Sequence, residues 1–250
     1  MEKNLDNVYV VLIEPKNPGN IGASVRAMKN MGISHIRLVR PVDYREVVEQ
    51  KKMGYRSQEI IKKSQEFDSL SNALAEISLV FLATQKKGKW KKNFITPEQA
   101  AELILPRTLK EKIAIVFGRE DSGVTIDESQ LANYLIYIPS AVTYPSLNLS
   151  QAVLVILYEI YKLSTDNKKI ADFPKMATKQ KFERVTSNIW NLMKSLEIRE
   201  ENNGLFHRSL KRAMGRTIWT NADLAVIDRA CKQVRWYIEN RTNGEERGLK

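Results

Sequence analysis

Residues 112–123 read Lys-Ile-Ala-Ile-Val-Phe-Gly-Arg-Glu-Asp-Ser-Gly, and this stretch decides the fold. An unbroken apolar run, Ile113–Phe117, stands between Lys112 and Gly118, too short for a helix and without polar alternation. That is the pattern of a strand buried on both faces, as in parallel sheets covered by helices. The charged triplet Arg119, Glu120 and Asp121 follows at the carboxyl end of the strand, between Gly118 and Gly123. Open α/β sheets place ligand-binding residues there. A solvated loop whose glycines only permit tight turns has the same local signature.

Working outward, VYVVLIE (8–14), HIRLVRP (35–41), ISLVFLAT (77–84) and NYLIYIPS (133–140) read as further strands. Helical patterns alternate with them. One runs from Ile21 to about Met31, with Asn20 as N-cap and Gly32 as the stop. A second follows Thr96 as N-cap, with Pro97 in its first turn. A third, over 147–163, repeats Leu149, Ala152, Val153, Ile156, Leu157 and Ile160 at i, i+3, i+4 spacing. Residues 119–132 form a loop leading into a short helix. Residues 44–75 are polar and helical in tendency. The expected class is α/β, a mostly parallel open sheet with helices on both faces.

The polar segment 164–179, with Pro174, marks a change of character. The expected organisation is a domain over 1–165, a linker over 166–178 and an all-helical extension over 179–250. Phe182, Val185, Ile189, Leu192 and Leu196 form one periodic face of that extension. There is no internal repeat.

The 250 residues contain 40 Lys+Arg against 29 Asp+Glu, a formal charge of +11. Such an excess points to a polyanion partner, RNA or DNA before membrane, although it is also compatible with simple solubility. The first 165 residues hold 22 basic and 18 acidic side chains, and the last 85 hold 18 and 11, so the extension is the more basic by density. Cys231 is the only cysteine, which excludes a disulfide framework, a cysteine-rich zinc site and an iron–sulfur cluster. With only His35 and His207, a three-histidine metal site is impossible, and no metal is expected. No stretch approaches the ~20 apolar residues of a membrane span. The opening MEKNLDN lacks a signal-peptide core, so the expected setting is the cytoplasm.

Two more glycine- or hydroxyl-rich turns follow strands. Asn17–Arg26 reads NPGNIGASVR and contains neither G-x-G-x-x-G nor a P-loop, so it is no dinucleotide or Walker signature. Its backbone N–H groups at a helix start suit an anion or polar ligand edge; a plain strand–turn–helix link capped by Asn20 gives the same pattern. The third turn, 144–152, reads YPSLNLSQA. Ser146, Asn148 and Ser150 crowd the start of the most hydrophobic helix, where capping needs only one such residue.

Taken in order, the three turns make the chain resemble the SPOUT superfamily of RNA methyltransferases, in its SpoU/TrmH branch. Asn20, Gly22 and Arg26 match N-x-G-x-x-x-R; Gly118, Glu120 and Gly123 match G-x-E-x-x-G; Ser146, Asn148, Ser150 and Ala152 match S-x-N-x-S-x-A. The likeness spans residues 8–163. It is closer to TrmJ-like tRNA 2′-O-methyltransferases, in which the methyltransferase part comes first and a helical extension follows.

The resemblance implies a deep trefoil knot in the C-terminal part of the sheet domain, and S-adenosylmethionine bound there largely by backbone groups. By position these come from Ala83, Thr84 and Gln85, from Phe117, Gly118, Arg119 and Glu120, from Ile138 and Ser140, and from Ser146, Leu147 and Asn148. It implies a homodimer with Tyr144 at or near its interface, and transfer to a ribose 2′-hydroxyl at tRNA nucleotide 32. An rRNA target, or a non-catalytic RNA-binding protein with a relic pocket, are the rival outcomes. The implied catalytic set is Arg26, Asn20, Glu120, Ser146 and Asn148. Arg26 is the family's candidate proton acceptor, acting from the neighbouring subunit, but a guanidinium stays protonated, so a phosphate or ribose clamp suits it better.

Two basic features complete the reading. Lys86, Lys87, Lys89, Lys91 and Lys92 surround Trp90, a phosphate-tracking loop with a ring for stacking, or a solvated loop with a tucked indole. Arg208, Lys211, Arg212 and Arg216 recur at helical spacing as an expected RNA-contacting stripe. His207, beside them, suits a phosphate contact or a surface position. His35 and Cys231 read as packing residues.

Overall fold

The computed structural model describes residues 5–50, 58–85, 94–142, 147–165, 175–196 and 205–245. They fall into two compact units, Met1–Lys175 and Met176–Lys250.

In the first unit the buried apolar runs become strands: β1 (Val8–Ile13), β2 (His35–Val39), β3 (Gln65–Phe67), β4 (Leu79–Ala83), β5 (Phe94–Ile95), β6 (Ile113–Phe117) and β7 (Tyr134–Ile136). They form one sheet in the order β3-β2-β1-β6-β4-β7-β5, and all its pairings are parallel. The register sets Leu12, Phe117, Ala83 and Ile136 side by side, so the carboxyl ends of β1, β6, β4 and β7 lie in one row. The chain leaves β1 toward β2 and β3, then returns to the other side of the sheet for β4. The reversal falls beside β1 and β6, where an open α/β sheet leaves a crevice.

Helices α1 (Pro18–Asn30), α2 (Arg45–Gln50), α3 (Gln58–Lys62), α4 (Leu70–Ala73), α5 (Pro97–Ile104), α6 (Ile126–Gln130) and α7 (Leu149–Thr165) complete this unit. On one face Val11, Val80, Ala114, Val116 and Leu135 form a core with Leu70 and Ala73 of α4. The alternate residues Val10, Leu12, Phe81 and Ile115 are equally buried, so both faces are covered, as a parallel sheet requires. The apolar stripes Ile21, Val25 and Met28 of α1 and Val153, Ile156, Leu157 and Ile160 of α7 supply the cover on that second side; α7 lies against both α1 and α5.

Several expectations are corrected. The N-cap of α1 is Asn17, not Asn20: its side chain accepts from the Gly19 N–H at 2.8 Å, and Pro18 occupies the first helical position with its φ already set. The helix therefore begins three residues early and leaves the Asn20 amide available for other work. The segment 44–75 is not only helical, because Gln65–Phe67 adds a short edge strand paired with β2. The second expected strand stops at Val39, since Arg40 turns into the left-handed region with φ 46°. Gly32 follows α1 with φ 70°, the left-handed residue expected of a helix stop. Thr96 and Gln99 form a full capping box at the start of α5.

The second unit holds α8 (Lys179–Ser195), α9 (Leu205–Met214) and α10 (Asn221–Glu245). Ala177, Val185 and Leu224 form its small core, with Phe182, Ile189, Trp219 and Ile227 packed around them. Leu196, expected on the apolar face, lies beyond the end of α8 and is exposed. Cys231 is buried on α10, as a packing residue should be. No helix among the described residues is long and apolar enough to cross a membrane.

Candidate active site

A cavity of about 370 Å³ opens at the row of strand ends. Ala83, Thr84 and Gln85 after β4, Phe117, Gly118, Arg119 and Glu120 after β6, Ile138 after β7, and Leu147 and Asn148 before α7 all line it, together with Asn20 of α1. Ser140 is exposed and does not. Ser146, Tyr144 and the loop residues Lys86, Lys87, Lys89, Trp90, Lys91 and Lys92 lie outside the described residues. Arg26 is exposed on α1 and is not among the lining residues.

Two backbone features shape the cavity wall. Arg119 and Gly123 exchange both backbone hydrogen bonds, each at 3.0 Å, closing a tight loop. Gly123 takes φ 71°, which favours glycine. Gly118 is required for a different reason: a Cβ there would stand 2.6 Å from the Gly123 carbonyl and from Val124 Cγ1. The two glycines flanking the charged triplet thus serve separate ends, close approach at one and chain reversal at the other.

Residues from all three turns then join in one polar chain. The Asn20 amide Nδ2 donates to Glu120 Oε1 at 3.1 Å, and Asn148 Nδ2 donates to Asn20 Oδ1 at 3.0 Å. Asn148 Oδ1 accepts from the Ser150 N–H at 2.9 Å and its hydroxyl at 2.7 Å, which also caps α7. Glu120 Oε2 receives the Lys16 backbone N–H at 3.1 Å. Because each amide has one donor and one acceptor end, the carboxylate at one terminus fixes the sense of the whole chain. Asp121, paired with Lys16, has its carboxyl drawn down to about 2 by that ammonium.

The backbone of Arg119 lies where the sequence placed it, and its side chain has a separate role that the sequence did not indicate. Its backbone lines the cavity, but its guanidinium points into an ion cluster. Nε and Nη2 donate to Glu14, each at 2.8 Å; Nη2 and Nη1 donate to Glu128 at 2.9 and 3.0 Å; Nη1 also reaches the Gly123 carbonyl at 3.4 Å. All five N–H donors are occupied, so only the backbone of Arg119 is available to a ligand. Hydrogen bonds from Arg119, then Arg40, hold the Glu14 carboxyl at about 2, against the opposing effect of burial. Burial raises the Glu128 carboxyl, but Arg119 and the Thr125 capping bonds outweigh it and the net shift is downward. Glu14 was not singled out in the sequence. A carboxylate at the very end of a buried strand was the available signal.

The residues fit a ligand carrying a nucleoside. Phe117, Ile136, Ile138 and Leu149 offer buried apolar surface beside the exposed backbone of the strand ends. Gln85 Oε1 is buried and has no hydrogen-bond partner among the described residues. A buried acceptor left so is costly, and an amine or hydroxyl donor on a ligand would satisfy it.

In the second unit, Arg208 and Arg212 are exposed on α9, and Lys211 is half-buried. Arg216 is exposed but lies past the helix end, because Gly215 closes α9 by donating to the Lys211 carbonyl at 2.8 Å. The single helical stripe expected there is therefore a helix plus its C-terminal turn. Phe206, His207 and Trp190 stack beside it, with ring centroids 6.0 and 5.2 Å from Trp190. His35 stacks on Tyr9 at the start of β2.

A doubly covered parallel sheet with a polar cavity at its strand ends defines an α/β ligand-binding domain. Comparison with known proteins identifies which kind. The family model described as the SpoU rRNA Methylase family matches residues 7–158. A Methanocaldococcus jannaschii protein named tRNA (cytidine-2′-O-)-methyltransferase TrmJ is 32% identical over 225 residues, covering 85% of this chain and 96% of that protein. An uncharacterized tRNA/rRNA methyltransferase of Haemophilus influenzae is 38% identical over 168 residues, 66% of this chain and 68% of that one. The crystal structure of TrmJ from Z. mobilis superposes with a TM-score of 0.78 at 24% identity, over 91% of this chain and 98% of that chain, and shares the fold. The chain belongs to the SpoU rRNA Methylase family.

Proposed function

We propose that this protein methylates a ribose 2′-hydroxyl of tRNA with S-adenosylmethionine as donor, at nucleotide 32 of the anticodon loop, acting as a cytoplasmic homodimer. The observation that carries the reading is the meeting of Asn20, Glu120 and Asn148, one from each turn, at one cavity. An ordinary strand–turn–helix link would give no reason for three distant turns to share one hydrogen-bond chain. The tRNA preference is supported by the TrmJ relative, whose likeness extends through both units. Nucleotide 32, and the trefoil knot around the cavity, rest on the TrmJ-like resemblance of the motifs.

S-adenosylmethionine, when bound, supplies an electrophilic sulfonium methyl group. Gly118 would let the backbone of 117–120 approach it, and Gln85 Oε1 would accept a hydrogen bond from it. The protein's remaining task is to hold a ribose hydroxyl in line and to let its proton leave. Glu120, held by Lys16 and Asn20, keeps a carboxylate at the cavity mouth, and Ser146 follows as a hydrogen-bonding neighbour by its place in the third motif. Arg26 clamps the target phosphate or ribose with paired N–H groups. As it lies outside the cavity of its own chain, it serves the site of a second subunit.

The dimer is supported by α7, whose outer face exposes Leu154, Val155, Tyr158 and Tyr161 in an apolar stripe. Such a stripe is costly to leave in water, and a second copy would cover it. Arg208, Lys211, Arg212 and Arg216, with the lysine loop around Trp90, are the proposed RNA contacts.

Methyl transfer in vitro to bulk tRNA and rRNA, followed by mapping of the modified nucleotide, tests the reading. It predicts a 2′-O-methyl group at tRNA position 32. Methylation of rRNA with tRNA untouched would reassign the substrate, and cofactor binding without any transfer would leave a relic pocket.

A further inference from the structure

We infer that Glu14, which does not line the cavity, is a positioning residue that sets cofactor affinity from behind the Gly118–Gly123 loop. The inference rests on that cavity being the S-adenosylmethionine site. Glu14 follows β1 with φ 43°, and Arg40 follows β2 with φ 46°; they are the non-glycine residues with positive φ among those described. Each such conformation is disfavoured for a residue with a Cβ and persists where surrounding contacts over-determine it. Here those contacts join the two residues to each other: Arg40 donates to the Glu14 carboxylate through Nε at 2.9 Å and through Nη2. Backbone bonds hold the same corners, from Glu14 N to the Val39 carbonyl at 2.8 Å and from Arg40 N to the Phe67 carbonyl at 3.0 Å.

The carboxylate so placed meets Arg119, whose side chain and backbone face opposite ways. On one side the guanidinium gathers Glu14, Glu128 of α6 and the Gly123 carbonyl. On the other, the backbone of 118–123 forms the cavity wall. Moving Glu14 therefore moves the wall. Glu120 takes its bonds from the Lys16 N–H and the Asn20 amide. Direct bonds from Lys16 and Asn20 keep Glu120 in place independently of Arg119. The effect of Glu14 should accordingly fall on cofactor affinity before turnover.

Two substitutions separate charge from backbone. Glu14→Gln keeps the side-chain size and removes the charge that fills Arg119; Glu14→Gly relieves the left-handed strain and removes the carboxylate. Both should raise the dissociation constant for S-adenosylmethionine about tenfold or more, as expected on losing charge-assisted bonds. The increase should appear in KM for the cofactor, with kcat at saturation and RNA affinity changed less than about threefold. Arg119→Lys, which keeps the charge but cannot fill five bonds, should likewise raise the dissociation constant for the cofactor in calorimetry and serves as the binding readout if the Glu14 variants do not fold. A melting temperature lowered with unchanged cofactor affinity overturns the inference and leaves Glu14 a purely structural residue. Wild-type protein that fails to bind the cofactor in calorimetry overturns the site assignment instead.

Discussion

Replacing Gly118 by alanine tests how the cavity wall is built. The added methyl would stand 2.6 Å from the Gly123 carbonyl carbon, its oxygen and Val124 Cγ1, where no Cβ fits. Two of those atoms are backbone, so a side-chain rotation cannot relieve the contact. The loop cannot retreat either, because Arg119 is anchored behind it and bonded to Gly123 through both backbone groups. Overpacking of this kind costs about 1–3 kcal/mol. Taking about 2 kcal/mol as expressed in the shape of the wall, S-adenosylmethionine should bind about 30-fold more weakly. Gly123→Ala is the matched control: nothing lies within 4 Å of its Cβ, and only the φ of 71° opposes it. It should cost about 1 kcal/mol of stability and change affinity less than about threefold. Calorimetric titration with the cofactor, beside thermal melts of both variants, reads the contrast. Wild-type affinity in Gly118→Ala, or a larger affinity loss in Gly123→Ala, would refute the reasoning.

Three further outcomes are expected. Asn20→Asp places a carboxylate where an amide donates to Glu120 at 3.1 Å; lost bonding and like-charge contact should reduce kcat at least about tenfold at neutral pH, measured by labelled methyl transfer. Arg26→Ala should abolish transfer while leaving calorimetric cofactor affinity nearly intact; normal turnover would remove Arg26 from the site. The third concerns acid. Glu14 has a folded-state carboxyl at about 2, below its ordinary 4.5, so its stabilisation is complete above about pH 4.5 and is lost as pH falls through about 2. Glu14 is partly exposed, so screening limits this to about 1–2 kcal/mol. Glu14→Gln should therefore flatten the acid arm of the stability curve, and an unchanged slope in denaturant titrations between pH 4.5 and 2 would contradict the pairing.

Much of this architecture was legible in the sequence. The runs at 8–14, 77–84 and 112–118 announce themselves because a strand buried on both faces needs apolar residues without alternation. The three turns were readable as ligand sites, and Asn20, Glu120 and Asn148 do converge. What escaped has local causes. Gln65–Phe67 is a three-residue edge strand with two exposed polar side chains, and Phe94–Ile95 is two residues long; neither has length for a period to show. The shift of the N-cap to Asn17 turned on Pro18, whose preference for the first helical position outweighs the capping aptitude of Asn20. The role of Arg119 was unreadable for a deeper reason. Its partners Glu14 and Glu128 lie 105 and 9 residues away, and only the strand order, with β6 inserted beside β1, brings them together.

The central claim is that this cavity serves methyl transfer to a ribose oxygen. Alkaline cleavage of RNA needs a free 2′-hydroxyl, so the modification can be read chemically. The protein would be incubated with methyl-labelled S-adenosylmethionine and tRNA, and the product hydrolysed in alkali. The account predicts label in an alkali-resistant dinucleotide. Label released in mononucleotides, the mark of a methylated base, would contradict it.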